Sequence, residues 1–273
     1  MKYRLIAVDI DGTLLNHKGQ LTERTIKAAK AAMLSGAKFV LSSGRMPRAL
    51  QGIGEALQVN APAVCYNGGA AVDLFTGETV YKTPVPMALA VEIAKAAEDM
   101  NLYFHAFIHG SYIAPEYNAL TEAYEKLCGV KAQVMNARIS ESLDEEPMKL
   151  LILDTPEGAQ KALPVLKAKF EGRASLMQSQ KHMIECVDVN TSKAGALENL
   201  SGLLGIDRSE AIAFGDGQND LEMLKWAGES YVMENASDAV KHAEPRFKIA
   251  PSNAEDGVAQ VIETLLKEGK IGG

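Results

Sequence analysis

Cysteine is scarce in this chain of 273 residues: Cys65, Cys128 and Cys186 lie far apart and form no CxxC pair. Neither a zinc site nor a disulfide framework is therefore indicated, and a reducing compartment fits. Long apolar runs are missing as well, none approaching the roughly 18 residues that a membrane-spanning helix needs. Lys2 and Arg4 open the chain as in a secretory signal, but Asp9 cuts the apolar stretch short and no cleavage-like segment follows, so a cytoplasmic location is expected. Positive charge is outnumbered, with 28 Lys and Arg against 35 Asp and Glu and a net charge of −7. The long-range field then repels polyanions, which argues against adhesion to nucleic acid or anionic membranes while leaving room for a local basic pocket. Internal repeats and low-complexity tracts are absent. What remains is a composition of 47% hydrophobic and 23% charged residues, that of a folded globular protein. Its length exceeds the usual single core, so one large α/β domain or two unequal domains are expected.

Strand-like runs alternate with amphipathic helical stretches from the start: "RLIAVDI", Thr22 to Ser35, "AKFVLSS", Pro47 to Leu57, "APAVCYN". That order is the signature of βαβ units and a parallel sheet. The rhythm returns near the end, with a helix from Ser192 to Leu204, the strand "AIAFGD" and helices from Asn219, Ala236 and Asp256. Between them the strands lengthen and helices thin out, as in an antiparallel α+β insertion. The expected organisation is an α/β parallel-sheet core of residues 1–83 and 188–273, interrupted by an α+β domain of residues 84–187. The final "KEGKIGG" is expected to be a loose tail.

The chemistry concentrates at strand ends. "IAVDIDGTLL" closes a core strand with Asp9 and Asp11, two residues apart, where an extended chain would space them by about 6.6 Å on one face. Gly12 makes continued extension doubtful, and a turn at the carboxyl edge of a parallel sheet is where ligands bind. An Asp-Gly hairpin accounts for Asp11-Gly12 but not for Asp9. An EF-hand fails because its glycine belongs two residues later. Two carboxylates gathered at one edge need a cation or a proton. "AIAFGDGQND" repeats the theme with Asp216 and Asp220, and an oxygen-only, sulfur-free ligand set suits Mg²⁺. A solvated turn with an acidic helix cap is the plainer reading of that motif alone. "VLSSGR" ends a third strand with Ser43, Gly44 and Arg45, able to hold phosphate oxygens or simply to form a loop. Lys193 opens a helix after "NTS".

Together these segments resemble the haloacid dehalogenase-like (HAD) phosphohydrolases: Asp-x-Asp-Gly-Thr, Ser-Gly-Arg, Lys and Gly-Asp-x-x-Asn-Asp occur in that family's order. The resemblance narrows to the Cof-type subgroup with a type C2B cap between the second and third motifs. It extends to "YNGG" at Tyr66 to Gly69 and to "NASDAVKHAEPRF" and "SNAEDGVAQVI" near the C-terminus. Ser43 and Ala194 depart from the usual threonine and glycine, and Asn190 stands where a glycine is common; no reacting group is lost.

The resemblance implies a Rossmann-like catalytic core with a specificity cap, Mg²⁺ as cofactor and a small phosphorylated metabolite, sugar phosphates foremost, as substrate. Asp9 would be the nucleophile that forms an aspartyl-phosphate, and Asp11 the proton carrier. Asp9, Asp216 and the backbone carbonyl of Asp11 would hold the metal, with Asp220 binding a water of the ion or Lys193. Ser43, Lys193 and Asn219 would bind phosphoryl oxygens, helped by Gly44 and Arg45. In "LYFHAFIHGSY", alternation puts Leu102, Phe104, Ala106 and Ile108 on one face and Tyr103, His105, Phe107 and His109 on the other. His105 and His109 are candidate substrate contacts or ordinary surface histidines, and Glu185 is a further candidate. No nucleic acid or membrane partner is expected, and the chain would act as a monomer or small homo-oligomer. A phosphomutase and a non-catalytic phosphometabolite sensor are the alternatives.

Overall fold

The computed structural model describes residues 2–273. The chain forms two compact units: one of residues up to Gly44 with Leu50–Tyr81 and Ser192–Gly273, the other of Arg45–Ala49 and Lys82–Thr191. In chain order the first part holds β1 (Leu5–Val8), α1 (Glu23–Leu34), β2 (Lys38–Leu41), α2 (Pro47–Leu57), β3 (Ala63–Cys65), β4 (Ala70–Val72) and β5 (Thr79–Lys82). The insertion carries α3 (Met87–Asp99), β6 (Tyr103–Phe107), β7 (Ile113–Ala114), α4 (Ala119–Cys128), β8 (Gln133–Val134), α5 (Ile139–Ser142), β9 (Lys149–Leu153), α6 (Pro156–Lys169), β10 (Ala174–Gln180) and β11 (Met183–Asp188). The return comprises α7 (Lys193–Leu204), β12 (Ala211–Gly215), α8 (Leu221–Trp226), β13 (Glu229–Met233), α9 (Asp238–Lys241), β14 (Lys248–Ala250) and α10 (Gly257–Lys267).

The first unit is built on a parallel five-stranded sheet, β14-β13-β12-β1-β2. All four residues of β1 are buried, as a central strand covered on both faces requires. Val8 lies opposite both Leu41 and Phe214, so Asp9 leaves the sheet beside Ser42 and Gly215, at the carboxyl edge. β3 does not extend this sheet beyond a single Ser42–Val64 bridge; it pairs instead in a separate β3-β4-β5 sheet. Helix α1 starts where the Thr22 side chain accepts from the Thr25 amide as its N-cap.

The C-terminal segment is not a loose tail. Ile271 is buried and bridges to Tyr3, and the Gly273 amide donates to the Ser35 carbonyl at 3.0 Å. Backbone pairing, which a polar sequence does not advertise, fixes it.

The second unit is a six-stranded sheet, β10-β11-β9-β6-β7-β8, antiparallel except for β7 and β8. Phe104, Ala106 and Ile108 pack with Ile93, Ile152, Leu166 and Ile184 into one apolar core, and Leu102 lies against it. The strand itself ends at Phe107, because Ile108 to Ser111 turn and His109 takes a positive φ of 50°. Asn190 is not left-handed; its amide and side chain both donate to Asp188 Oδ1. Among the described residues no helix is long and apolar enough to cross a membrane.

On the opposite face of this sheet His105 is fully buried, with Tyr103, Tyr112 and Tyr124 rings at centroid distances of 5.4, 4.9 and 5.3 Å. Neither ring nitrogen has a hydrogen-bond partner. Burial, with Lys149 adding to it, pulls the imidazole down to about 3. A depressed base pKa means that the unfolded chain takes up a proton first as pH falls, so stability is lost below about 6.5. Between about pH 7 and 4.5 this group costs on the order of 2–3 kcal/mol. Urea titrations at both pH values are expected to show a smaller loss for His105→Leu than for the wild type.

Candidate active site

After β1 the chain makes a single wide turn, Ile10–Leu14, in which the Leu14 amide donates to the Asp9 carbonyl at 3.2 Å and the Leu15 amide to Ile10 at 3.0 Å. Such i→i+5 turns are rare and cluster at functional sites. Gly12 is required here twice over. Its φ is +85°, and a Cβ would stand 2.3 Å from Asp216 Oδ2. Thr13 Oγ1 donates to Asp216 Oδ1 at 2.8 Å, tying the turn to the end of β12.

Past β12, Asp220 folds back so that its Oδ2 accepts from the Asp216 and Gly217 amides at 3.0 and 2.9 Å. Its Oδ1 accepts from Lys193 Nζ at 2.6 Å, and Asp9 Oδ1 accepts from the same ammonium at 2.6 Å. Lys193 is only 1% exposed. It opens α7, where Ser192 caps the helix through the Gly195 amide. Gly68 packs so closely that a Cβ would lie 2.0 Å from the Ser192 carbonyl oxygen.

Two carboxylates thus share one ammonium, with a third, Asp216, beside them. Burial pushes Asp9 well above the ordinary carboxylate range, the Asp220 charge adds to that, and Lys193 opposes it. Asp216 is pushed up to about 6, by burial first, against the Thr13 hydrogen bond and with Asp220 and Asp11 adding to the rise. Burial pulls Lys193 down, but Asp220 and Asp9 outweigh it and hold the ammonium above its usual value. The cluster carries more negative charge than its one lysine balances. One oxygen each from Asp9, Asp216 and Asp220 lies within 4.8 Å of the others. This all-oxygen, charge-deficient set fits a hard divalent cation such as Mg²⁺.

The expected residues are not all in this cluster. Ser43 is buried at the end of β2, where its amide donates to the Val64 carbonyl at 2.9 Å. Asn219 is exposed, and its Nδ2 donates to Asn67 Oδ1 at 3.2 Å. Asp11 is exposed within the turn. Arg45, His105, His109 and Glu185 belong to the second unit. There Glu185 is buried against Lys149 at 2.9 Å, while His109 is exposed and pairs with Asp144 at 2.8 Å and Glu145 at 3.3 Å.

Asn67 is the residue that motif reading passed over. It is 2% exposed, adopts a φ of 57°, and its amide donates to the Ser43 carbonyl at 3.0 Å. A Cβ on Gly44 would sit 3.0 Å from its Oδ1. Asn67 therefore links the Ser43-Gly44 segment to Asn219. The sequence signal was the asparagine before two glycines in "YNGG", since asparagine is among the few residues that enter the left-handed region readily.

Residues 6–262 match the family described as haloacid dehalogenase-like hydrolase. The chain belongs to that family. It is 27% identical over 266 residues to a streptococcal protein and 27% identical over 279 residues to the Bacillus subtilis 5-amino-6-(5-phospho-D-ribitylamino)uracil phosphatase YitU. The latter match covers 95% of this chain and 96% of YitU. A haloacid dehalogenase-like hydrolase from Bacteroides thetaiotaomicron superposes with a TM-score of 0.87 at 27% identity, covering 97% of this chain and 100% of that one. A HAD subclass IIB sugar phosphatase shares the fold, with a TM-score of 0.81 at 20% identity and coverage of 96% and 98%. This HAD protein has the parallel-sheet core and inserted α+β domain of the family, and it is a phosphoric monoester hydrolase.

Proposed function

We propose that this HAD protein is a Mg²⁺-dependent phosphatase that hydrolyses small phosphate monoesters, sugar phosphates foremost, through an aspartyl-phosphate on Asp9. The observation that carries the reading is the buried Asp9 carboxylate at the end of β1, sharing Lys193 with Asp220 at 2.6 Å each and lying beside Asp216. Asp9, Asp216 and Asp220 are the side chains that would hold the ion or its water. When bound, Mg²⁺ supplies positive charge that lets an anionic nucleophile meet an anionic ester.

Asp9 Oδ attacks phosphorus, and the bond from phosphorus to the leaving oxygen breaks. Asp11 gives that oxygen its proton and later takes one from the water that cleaves the acyl-phosphate. Lys193 holds Asp9 in place and balances phosphoryl charge, with Ser43 and Asn219 donating to the other oxygens. The inserted unit is assigned the choice of substrate. The similarity to YitU, a 5-amino-6-(5-phospho-D-ribitylamino)uracil phosphatase, supports a polyhydroxylated ester.

The test is hydrolysis of p-nitrophenyl phosphate after EDTA treatment and after Mg²⁺ is returned, followed by acid quenching with labelled substrate. Activity is expected to vanish and recover, with label retained on the chain. Protons compete with the ion at Asp216, whose pKa is about 6, so the Mg²⁺ concentration needed is expected to fall as pH rises through that value. Full activity in EDTA overturns the proposal.

A further inference from the structure

Two asparagines near the C-terminus grip the turn that bears Asp11. Asn235 follows β13 and Asn253 follows β14, neighbouring parallel strands with Met233 opposite Ala250, so both stand at the same carboxyl edge as Asp9. Asn235 Nδ2 donates to the Gly12 carbonyl at 2.8 Å. Asn253 Nδ2 donates to the Leu15 carbonyl at 2.8 Å, in a buried hydrogen bond. The Asn253 amide donates to Asn235 Oδ1 at 3.0 Å, which joins the two into one unit. They lie in "NASDAVKHAEPRF" and "SNAEDGVAQVI", segments to which the chemistry described above gives no task.

We propose that Asn235 and Asn253 are positioning residues: a two-asparagine latch that holds the Ile10–Leu14 turn so that Asp11 sits where proton transfer needs it. The turn has little support of its own. Asp11 and Gly12 break the helical dihedrals, with φ, ψ of −84°, 115° and 85°, −4°. Two i→i+5 bonds close it. The latch fixes the carbonyl at residue 12, immediately after Asp11, and the carbonyl at residue 15, just beyond the turn. Pinning the Gly12 carbonyl sets the plane of the peptide to Thr13, the residue bonded to Asp216, and with it the backbone that carries Asp11. Asp9 needs no such help, because it is held by β1 and Lys193. Loss of the latch therefore acts on proton transfer and not on nucleophilic attack.

The inference rests on Asp11 as the proton carrier, and the test separates the two. kcat/KM, which reports formation of the aspartyl-phosphate, is measured with p-nitrophenyl phosphate, whose leaving group needs little protonation, and with phenyl phosphate, whose leaving group needs more. Asp11→Asn is expected to lose on the order of a hundredfold with phenyl phosphate and far less with p-nitrophenyl phosphate. Asn253→Ala is expected to show the same split at about tenfold. Asn235→Ala, at an exposed position that tolerates truncation, is expected to follow it, and the double variant to be no worse than Asn253→Ala alone. A latch that serves only folding lowers both substrates by one factor. Equal losses, or no loss, in both single asparagine variants overturn the latch while a split in Asp11→Asn leaves that residue's role standing. No split in Asp11→Asn overturns the proton-carrier role and the latch with it.

Discussion

Asp9→Asn is expected to lower turnover of p-nitrophenyl phosphate by about four orders of magnitude while raising the melting temperature of the metal-free protein. The two effects have one cause. Asp9 is buried beside Asp220 and Asp216 with a single lysine to share, so its negative charge is costly in the resting protein and is retained for chemistry. Asparagine keeps the side-chain volume and an oxygen that accepts from Lys193, but it removes the charge and the nucleophile. The gain is on the order of 1–2 kcal/mol near neutral pH. Its pH dependence has a definite sign. A carboxyl whose folded pKa is raised stays protonated to higher pH than in the unfolded chain, so its cost appears as pH rises and disappears as pH falls. The stability advantage of Asp9→Asn is therefore expected to shrink in acid. Thermal melts in EDTA across pH, beside the activity assay, check both halves. Retained activity would remove Asp9 as nucleophile, and a lower melting temperature would refute the charge surplus.

Lys193→Met is expected to do the reverse to stability. The lysine is the ammonium that Asp9 and Asp220 share at 2.6 Å each, and methionine fills similar space without charge or donors. Breaking a buried ion pair from one side costs about 3–5 kcal/mol, because the abandoned charges stay buried. Part of that cost moves into proton uptake by the carboxylates, so the loss is expected to be larger above neutral pH than in acid. Mg²⁺ is expected to raise the melting temperature of the variant more than that of the wild type, since a cation at the three carboxylates relieves what the lysine no longer does. Activity is expected to fall by at least about a hundredfold, from lost phosphoryl stabilisation. A variant as stable as the wild type in EDTA would contradict this account of the cluster.

The parallel-sheet core was legible because a buried central strand leaves an unbroken apolar run. β1 and β12 could be read off the chain for that reason, and Asp9 and Asp216 follow them at once. Helices α1, α2, α7 and α10 were legible as helical stretches of the chain, and in the structure Thr22 and Ser192 begin α1 and α7 with side chains that accept from backbone amides. The β3 strand read as another member of the sheet, but its place beside β4 depends on pairing that periodicity does not encode. The run through His109 read as one strand, and a turn with positive φ at His109 ends it.

The sequence by itself determined which reacting groups are present and at which strand ends they emerge, since hydrophobic pattern and motif order are local properties. Only the tertiary structure decided that Lys193 closes on both Asp9 and Asp220, that Asn67 joins Gly44 to Asn219, and that Asn235 and Asn253 reach back to the turn at Gly12 and Leu15. These bonds join residues up to 238 positions apart, and a single chain read in order carries no record of such distances. His105 shows the same limit: alternation placed it on one face of β6, but the tyrosines that bury it come from β6 itself, from the segment before β7 and from α4, and only packing brings them together.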